Sequence, residues 1–114
     1  MLYTELNING ETYRLRLNTR ASMNLEKALG YNPISMLMDI DRGVMPKMGD
    51  VLIMLHSMLQ ANHHGFNMDK TIDLFDDYVA EGHSMFDLIP VFVEVFQTSG
   101  YISKDTKSNE NEKN

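Results

Sequence analysis

Without cysteine, the chemistry open to this 114-residue chain rests on four histidines, sixteen carboxylates, its hydroxyls and ten methionines. His56 and His63 lie seven apart on one face of a helical segment, with His64 beside them and Asp69 close in sequence. A zinc site needs three or four such ligands in a set geometry, and no HExxH-like spacing is present. Histidines just before a glycine also suit a helix C-terminus, whose partial negative charge favours them. No metal ligands and no cofactor are therefore expected. Asp73, Asp76, Asp77 and Glu81 form an acidic ridge; acid–base work would require a pocket and a shifted pKa. A solvated helix face that meets basic residues of a partner is the reading adopted. The serines sit in no nucleophile elbow, and no glycine-rich phosphate loop is present. No catalytic residues are expected, and the chain reads as a non-enzyme.

Methionine is the compositional oddity. Met36, Met38, Met45, Met48, Met54 and Met58 cluster in the middle third. Unbranched thioether chains fill cores, but they also re-form adaptable surfaces for partner helices. Met36, Met38, Met45 and Met54 lie off the best apolar stripes or in a loop. With Met58 and the acids Asp73, Asp76 and Asp77, they are the expected partner-binding surface.

These side chains must be carried by a small number of elements. Asn9-Gly10 between alternating segments predicts a two-residue type I′ hairpin, since both positions must take positive φ. Folding there pairs Ile8 with Glu11, Leu6 with Tyr13, Thr4 with Leu15 and Leu2 with Leu17. One face then carries Leu2, Leu6, Ile8, Tyr13, Leu15 and Leu17. The other pairs Glu5 with Arg14 and Tyr3 with Arg16. Two strands alone are marginal, so the apolar face must dock, and both edges stand open to another copy.

Helical spacing fills the rest to residue 100. Thr19 is read as the cap of a first helix with Ala21, Leu25, Ala28 and Leu29 inward, ended by Gly30. Asn32-Pro33 starts a second with Ile34, Leu37 and Met38 on its apolar edge. A loop over 41–46 leads to a central third helix, about Lys47 to His63, with Met48, Val51, Leu52, Leu55, Met58 and Leu59 on its main stripe. Asn67 caps a fourth, with Met68, Ile72, Phe75 and Val79 inward. Ser84 and Asp87 resemble a capping box for the fifth, whose stripe is Met85, Leu88, Ile89, Phe92, Val95 and Phe96. Pro90 argues for a later start at Asp87, which leaves the proline in the first turn. The fold class is mainly α: an N-terminal β-hairpin (about 2–17) on a bundle of about five helices, one domain over 1–102. A polar tail over 103–114 is too poor in apolar residues to order itself.

A formal net charge of −6 argues against nucleic acid, whose phosphates are held by clustered Lys and Arg. The longest uninterrupted apolar run, Val51–Leu55, is far short of the roughly 20 residues a membrane span needs. Met1–Glu5 has neither a basic start nor an apolar stretch, so no signal peptide is expected.

The order of pieces resembles the tail assembly chaperones of long-tailed bacteriophages and prophages of Gram-positive bacteria. The matching residues run from Tyr13-Arg14-Leu15-Arg16-Leu17 through Leu25-Glu26-Lys27-Ala28-Leu29-Gly30 and Asn32-Pro33. They continue with Leu55-His56, Leu59-Gln60 and His64-Gly65, then Asp76-Asp77-Tyr78, Glu81-Gly82 and Ser99-Gly100. The resemblance covers about residues 10 to 100. It implies a transient helper in the bacterial host's cytoplasm that holds the tape measure protein, recruits tail tube protein and is absent from the finished virion. It also implies that a longer, frameshifted product can exist. The alternatives are a tail-completion or connector protein retained in the virion as a homo-oligomer, and a small regulatory adaptor.

Overall fold

The hairpin forms where backbone and pattern agree. In a computed structural model that describes residues 2–103, strands β1 (Thr4–Ile8) and β2 (Glu11–Leu15) pair antiparallel. Thr4 faces Leu15, Leu6 faces Tyr13 and Ile8 faces Glu11, the register the apolar alternation predicts. Asn9 and Gly10 take φ of 57° and 77°, which lets the two-residue turn match the twist of the strands. Pairing stops short of Leu2–Leu17, however, and Leu2 is exposed while Leu17 is buried. On the outer face the Arg14 guanidinium lies 5.2 Å from the centre of the Tyr3 ring. That cation–π contact replaces both the Tyr3–Arg16 contact and the Glu5–Arg14 ion pair expected from the pattern.

Five helices follow: α1 (Thr19–Leu29), α2 (Ile34–Asp41), α3 (Met48–Leu59), α4 (Met68–Ala80) and α5 (Met85–Ser99). The cap of α1 is Asn18, one residue before Thr19; its Oδ1 accepts the Ala21 N–H at 2.8 Å. Gly30 closes the helix at φ 82°. Asn32 Oδ1 accepts the Ile34 N–H at 2.9 Å, and Pro33 already has helical angles, so this start is as the sequence indicates. The buried residue of α2 is Met36, and Met38 points outward.

Helix α3 is central: it touches α1, α4, α5 and β2. Val51, Met54, Leu55, Met58 and Leu59 are buried on it, while Leu52 of the expected stripe is half-buried. Met48, assigned to the inward stripe, is exposed because the first residue of the helix overhangs the core. The helix ends at Leu59 rather than His63. Gln60 Nε2 donates to the carbonyls of His56 and Phe66, at 3.0 and 2.9 Å, and this clamps residues 60–66 into a turn.

On α4, Asn67 is the cap, accepting the Lys70 N–H. The buried side is Thr71, Leu74, Phe75 and Tyr78; Ile72 and Val79 are exposed. The helix is thus turned by about one residue from the expected stripe. Thr71 can face inward because its hydroxyl donates to the Asn67 carbonyl at 2.9 Å, which removes the cost of burying it. Helix α5 starts at Ser84 with a full capping box, not at Asp87, so Pro90 sits inside the helix. Leu88, Phe92, Val95 and Phe96 face the core as expected.

The two inner layers meet around Leu6, Ile8, Leu15 and Leu17 of the hairpin segment and the buried faces of α1, α3, α4 and α5. Among the described residues no helix is long and apolar enough to cross a membrane. The tail expected over 103–114 lies, beyond Ser103, outside the described residues.

Candidate functional site

The expected methionine surface divides. Met36, Met54 and Met58 are 3%, 0% and 0% exposed; they fill the core and no partner can reach them in this fold. Met58 is on the stripe expected with Val51 and Leu55, and Met54, expected off it, belongs to the same 51-54-55-58 helical spacing. Met38 and Met45 are 57% and 52% exposed. Two exposed residues the surface lacked, Val44 and Met48, join them. All four belong to the segment that leaves α2, turns, and enters α3.

The turn explains why this segment is held open. Arg42 pairs with Asp39 three residues back, and Gly43 takes φ 85°, a left-handed angle that glycine adopts without penalty. The Val44 N–H donates to the Asp39 carbonyl at 2.8 Å. Residues 44–47 then form neither helix nor strand before α3, so Val44 and Met45 have no helix face to fold against. Beside them lies a cavity of about 230 Å³ bordered by Tyr31, Met36, Val44, Met45, Asp39 and Asp50. The Tyr31 hydroxyl donates to Asp50 at 2.8 Å. Burial and that carboxylate push the phenol up to about 12, so it remains a donor at any physiological pH. The arrangement is an apolar corner bordered by both signs of charge: Asp50, Lys47, and Asp39, which is paired with Arg42. It can hold an apolar side chain against Met36, Val44 and Met45.

Asp73, Asp76 and Asp77 are exposed on α4 and belong to a different surface. Asp77 is near enough to Tyr13 of the hairpin to contribute to raising its pKa, behind burial and Glu11. The structure does not place the acidic ridge beside the cavity at Met45; the carboxylates there are Asp39 and Asp50.

The histidines separate as well. Among the described residues no group of three or more His, Asp or Glu could hold a metal ion. His63 instead serves the hairpin. Its Nε2 accepts the outward N–H of Arg14 at 2.9 Å, and its ring leans on Tyr13 and Phe66. Asn62 Nδ2 donates to the Arg14 carbonyl at 3.3 Å, and the Arg16 N–H donates to the Met58 carbonyl at 2.9 Å. The outer edge of β2, expected to be open, is therefore covered by the end of α3. Burial, then Arg14 and His64, hold the His63 pKa below the ordinary histidine value, consistent with a neutral ring that accepts. This role spans 49 residues of chain, and spacing along a sequence carries no trace of it.

The chain belongs to the family of unknown function DUF6096, whose model matches residues 4–114. No curated protein and no solved structure matches it.

Proposed function

We propose that this protein is a non-enzymatic holder of apolar helical segments, acting as a tail assembly chaperone for a tape measure protein. The observation that carries the proposal is the exposed quartet Met38, Val44, Met45 and Met48, spread over the end of α2, the turn and the start of α3, in a domain whose other methionines include core residues. Large exposed apolar side chains gathered on a segment mark a contact surface, and methionine adapts to partners of differing shape. A tape measure protein is a long helical chain whose apolar faces need cover before the tube encloses it. An amphipathic helix laid along the α2–α3 corner would meet these side chains by its apolar face, with Asp50 and Lys47 beside it for polar residues at its edge. Many weak contacts repeated along the tape would hold by avidity and still yield to tail tube protein. Action is in the host cytoplasm, and the protein leaves before the virion is complete.

The test is co-expression with a tape measure protein from the same genome, followed by solubility and co-elution on a sizing column. The expected result is a soluble tape that elutes with several copies of this chain. Replacing Met38, Val44, Met45 and Met48 together with serine should abolish co-elution while the melting temperature is retained. A tape that stays insoluble, with this chain eluting alone as a stable ring, would favour the virion connector instead. Retained co-elution by the four-serine variant would move the contact surface elsewhere.

A further inference from the structure

A second concavity, separate from the apolar corner, lies where the start of α1 meets the end of α5. Its volume is about 380 Å³, within the range of roughly 300–1,000 Å³ in which proteins hold small ligands. It is bordered by Ser22, Met23 and Glu26 on α1 and by Ser99, Gly100 and Tyr101 at the end of α5. Gly100 closes α5 at φ 94°, and the chain then turns so that the Tyr101 ring stands edge-on to Phe96. The Tyr101 hydroxyl donates to Glu26 at 2.7 Å and lies 3.4 Å from the Ser22 carbonyl. Burial and the Glu26 carboxylate push this phenol up to about 12.

We propose that this groove binds a primary alkylammonium group. The signs of its walls select the charge. Glu26 is the charged side chain among the described residues of the lining. The negative end of α5 and the positive start of α1 both border the groove and offset one another, so the sign is set by Glu26. Among the described residues no Lys or Arg borders the groove. Tyr101 spends its one donor on Glu26 and Ser99 spends its hydroxyl on the Phe96 carbonyl, so the strongest group left for a ligand is an acceptor, the Glu26 carboxylate. An ammonium has three donors and no acceptor, which matches that inventory. The buried Ser22 hydroxyl has no partner among the described residues, and Ser22 itself borders the groove, where its oxygen is a further acceptor. Met23, 57% exposed, supplies apolar cover for the alkyl stem, as lysine stems commonly find against apolar surface. A hard metal cation is disfavoured because one carboxylate and scattered neutral oxygens fall short of its coordination shell.

The experiment is an amide-resolved NMR titration of the full chain with n-butylammonium, with n-butanol and butyrate as controls. Saturable shifts at Ser22, Met23, Glu26, Gly100 and Tyr101 are expected, with millimolar affinity for the ammonium and at least tenfold weaker effects for the two controls. Glu26→Gln should weaken binding about tenfold or more. Ser22→Ala, which removes a hydroxyl without a partner among the described residues, should weaken it a few-fold while the melting temperature holds. Cadaverine and Nα-acetyl-lysine amide then distinguish a free diamine from a lysine side chain, and preferred binding of either supports the proposal. Equal shifts with butanol would reduce the groove to an apolar contact, and stronger binding of butyrate would reverse its sign. Absence of saturable binding would remove the site altogether, and unchanged affinity in both variants would place any binding elsewhere.

Discussion

At the scale of single residues, the distribution of methionine is decided by neighbours rather than by residue type. Met54 and Met45 differ little in chemistry, yet one is at the centre of the core and the other in solvent. The sequence marks both as apolar; which one faces a partner depends on α3 being covered from several sides. His63 shows the same dependence with a testable consequence. Its neutral ring accepts the Arg14 N–H, and its pKa in the folded chain lies below the ordinary value of about 6.5. Below that value the unfolded chain binds the proton more readily than the folded one, so acid favours unfolding. The stability His63 gives is present in full above pH about 6.5 and is lost as pH falls through its lowered pKa. Thermal melts from pH 7.5 to 5 should therefore show a loss of stability that is smaller in His63→Gln, whose amide oxygen can accept at any pH. Equal slopes in the two proteins would show that His63 does not couple the fold to pH.

At the scale of elements, local signals set where segments begin and end more reliably than which side they bury. Asn9-Gly10, Asn67 and Gly30 are punctuation written in adjacent or single residues, and each is found in its expected role; the Ser84/Asp87 box, set aside for a later start, forms as well. The side that α4 buries was not legible in this way. Met68, Ile72, Phe75 and Val79 form as regular a stripe as Thr71, Leu74, Phe75 and Tyr78, and the hydroxyl bond that admits Thr71 is a structural detail. Pro90 is the point at which two local signals conflict, and the capping box prevails. The cost is carried by the Phe86 carbonyl, four residues earlier, which receives no N–H from the proline. Pro90→Ala restores that donor on an exposed position of the helix. We expect a gain of about 1–2 kcal/mol in chemical denaturation, below the full interior proline penalty of about 3 kcal/mol because proline also stiffens the unfolded chain. A loss of stability would mean that the helix is adapted to the ring.

At the scale of the whole molecule, the apolar corner and the groove at the end of α5 are both made by chain reversals, between α2 and α3 and after α5. Neither was foreseen as a concavity, because each joins residues from segments whose relative placement depends on the core. Residues 38–48 were partly foreseen through Met38 and Met45. Glu26 and Tyr101 are 75 residues apart and gave no sign of meeting.

The covered edge of β2 bears on the order in which the molecule assembles. In a hairpin standing alone, the amides of Leu6 and Tyr13 are shielded by the opposite strand, whereas those of Arg14 and Arg16 point at water. Here the latter two are bonded to His63 and to Met58. They are therefore two clocks on one ribbon: the first pair times closure of the turn, the second times the arrival of α3. In pulse-labelled refolding, deuterium should be retained at Arg14 and Arg16 in step with the α3 amides and no sooner. Protection of Arg14 and Arg16 ahead of α3 would mean that some other part of the chain reaches that edge first.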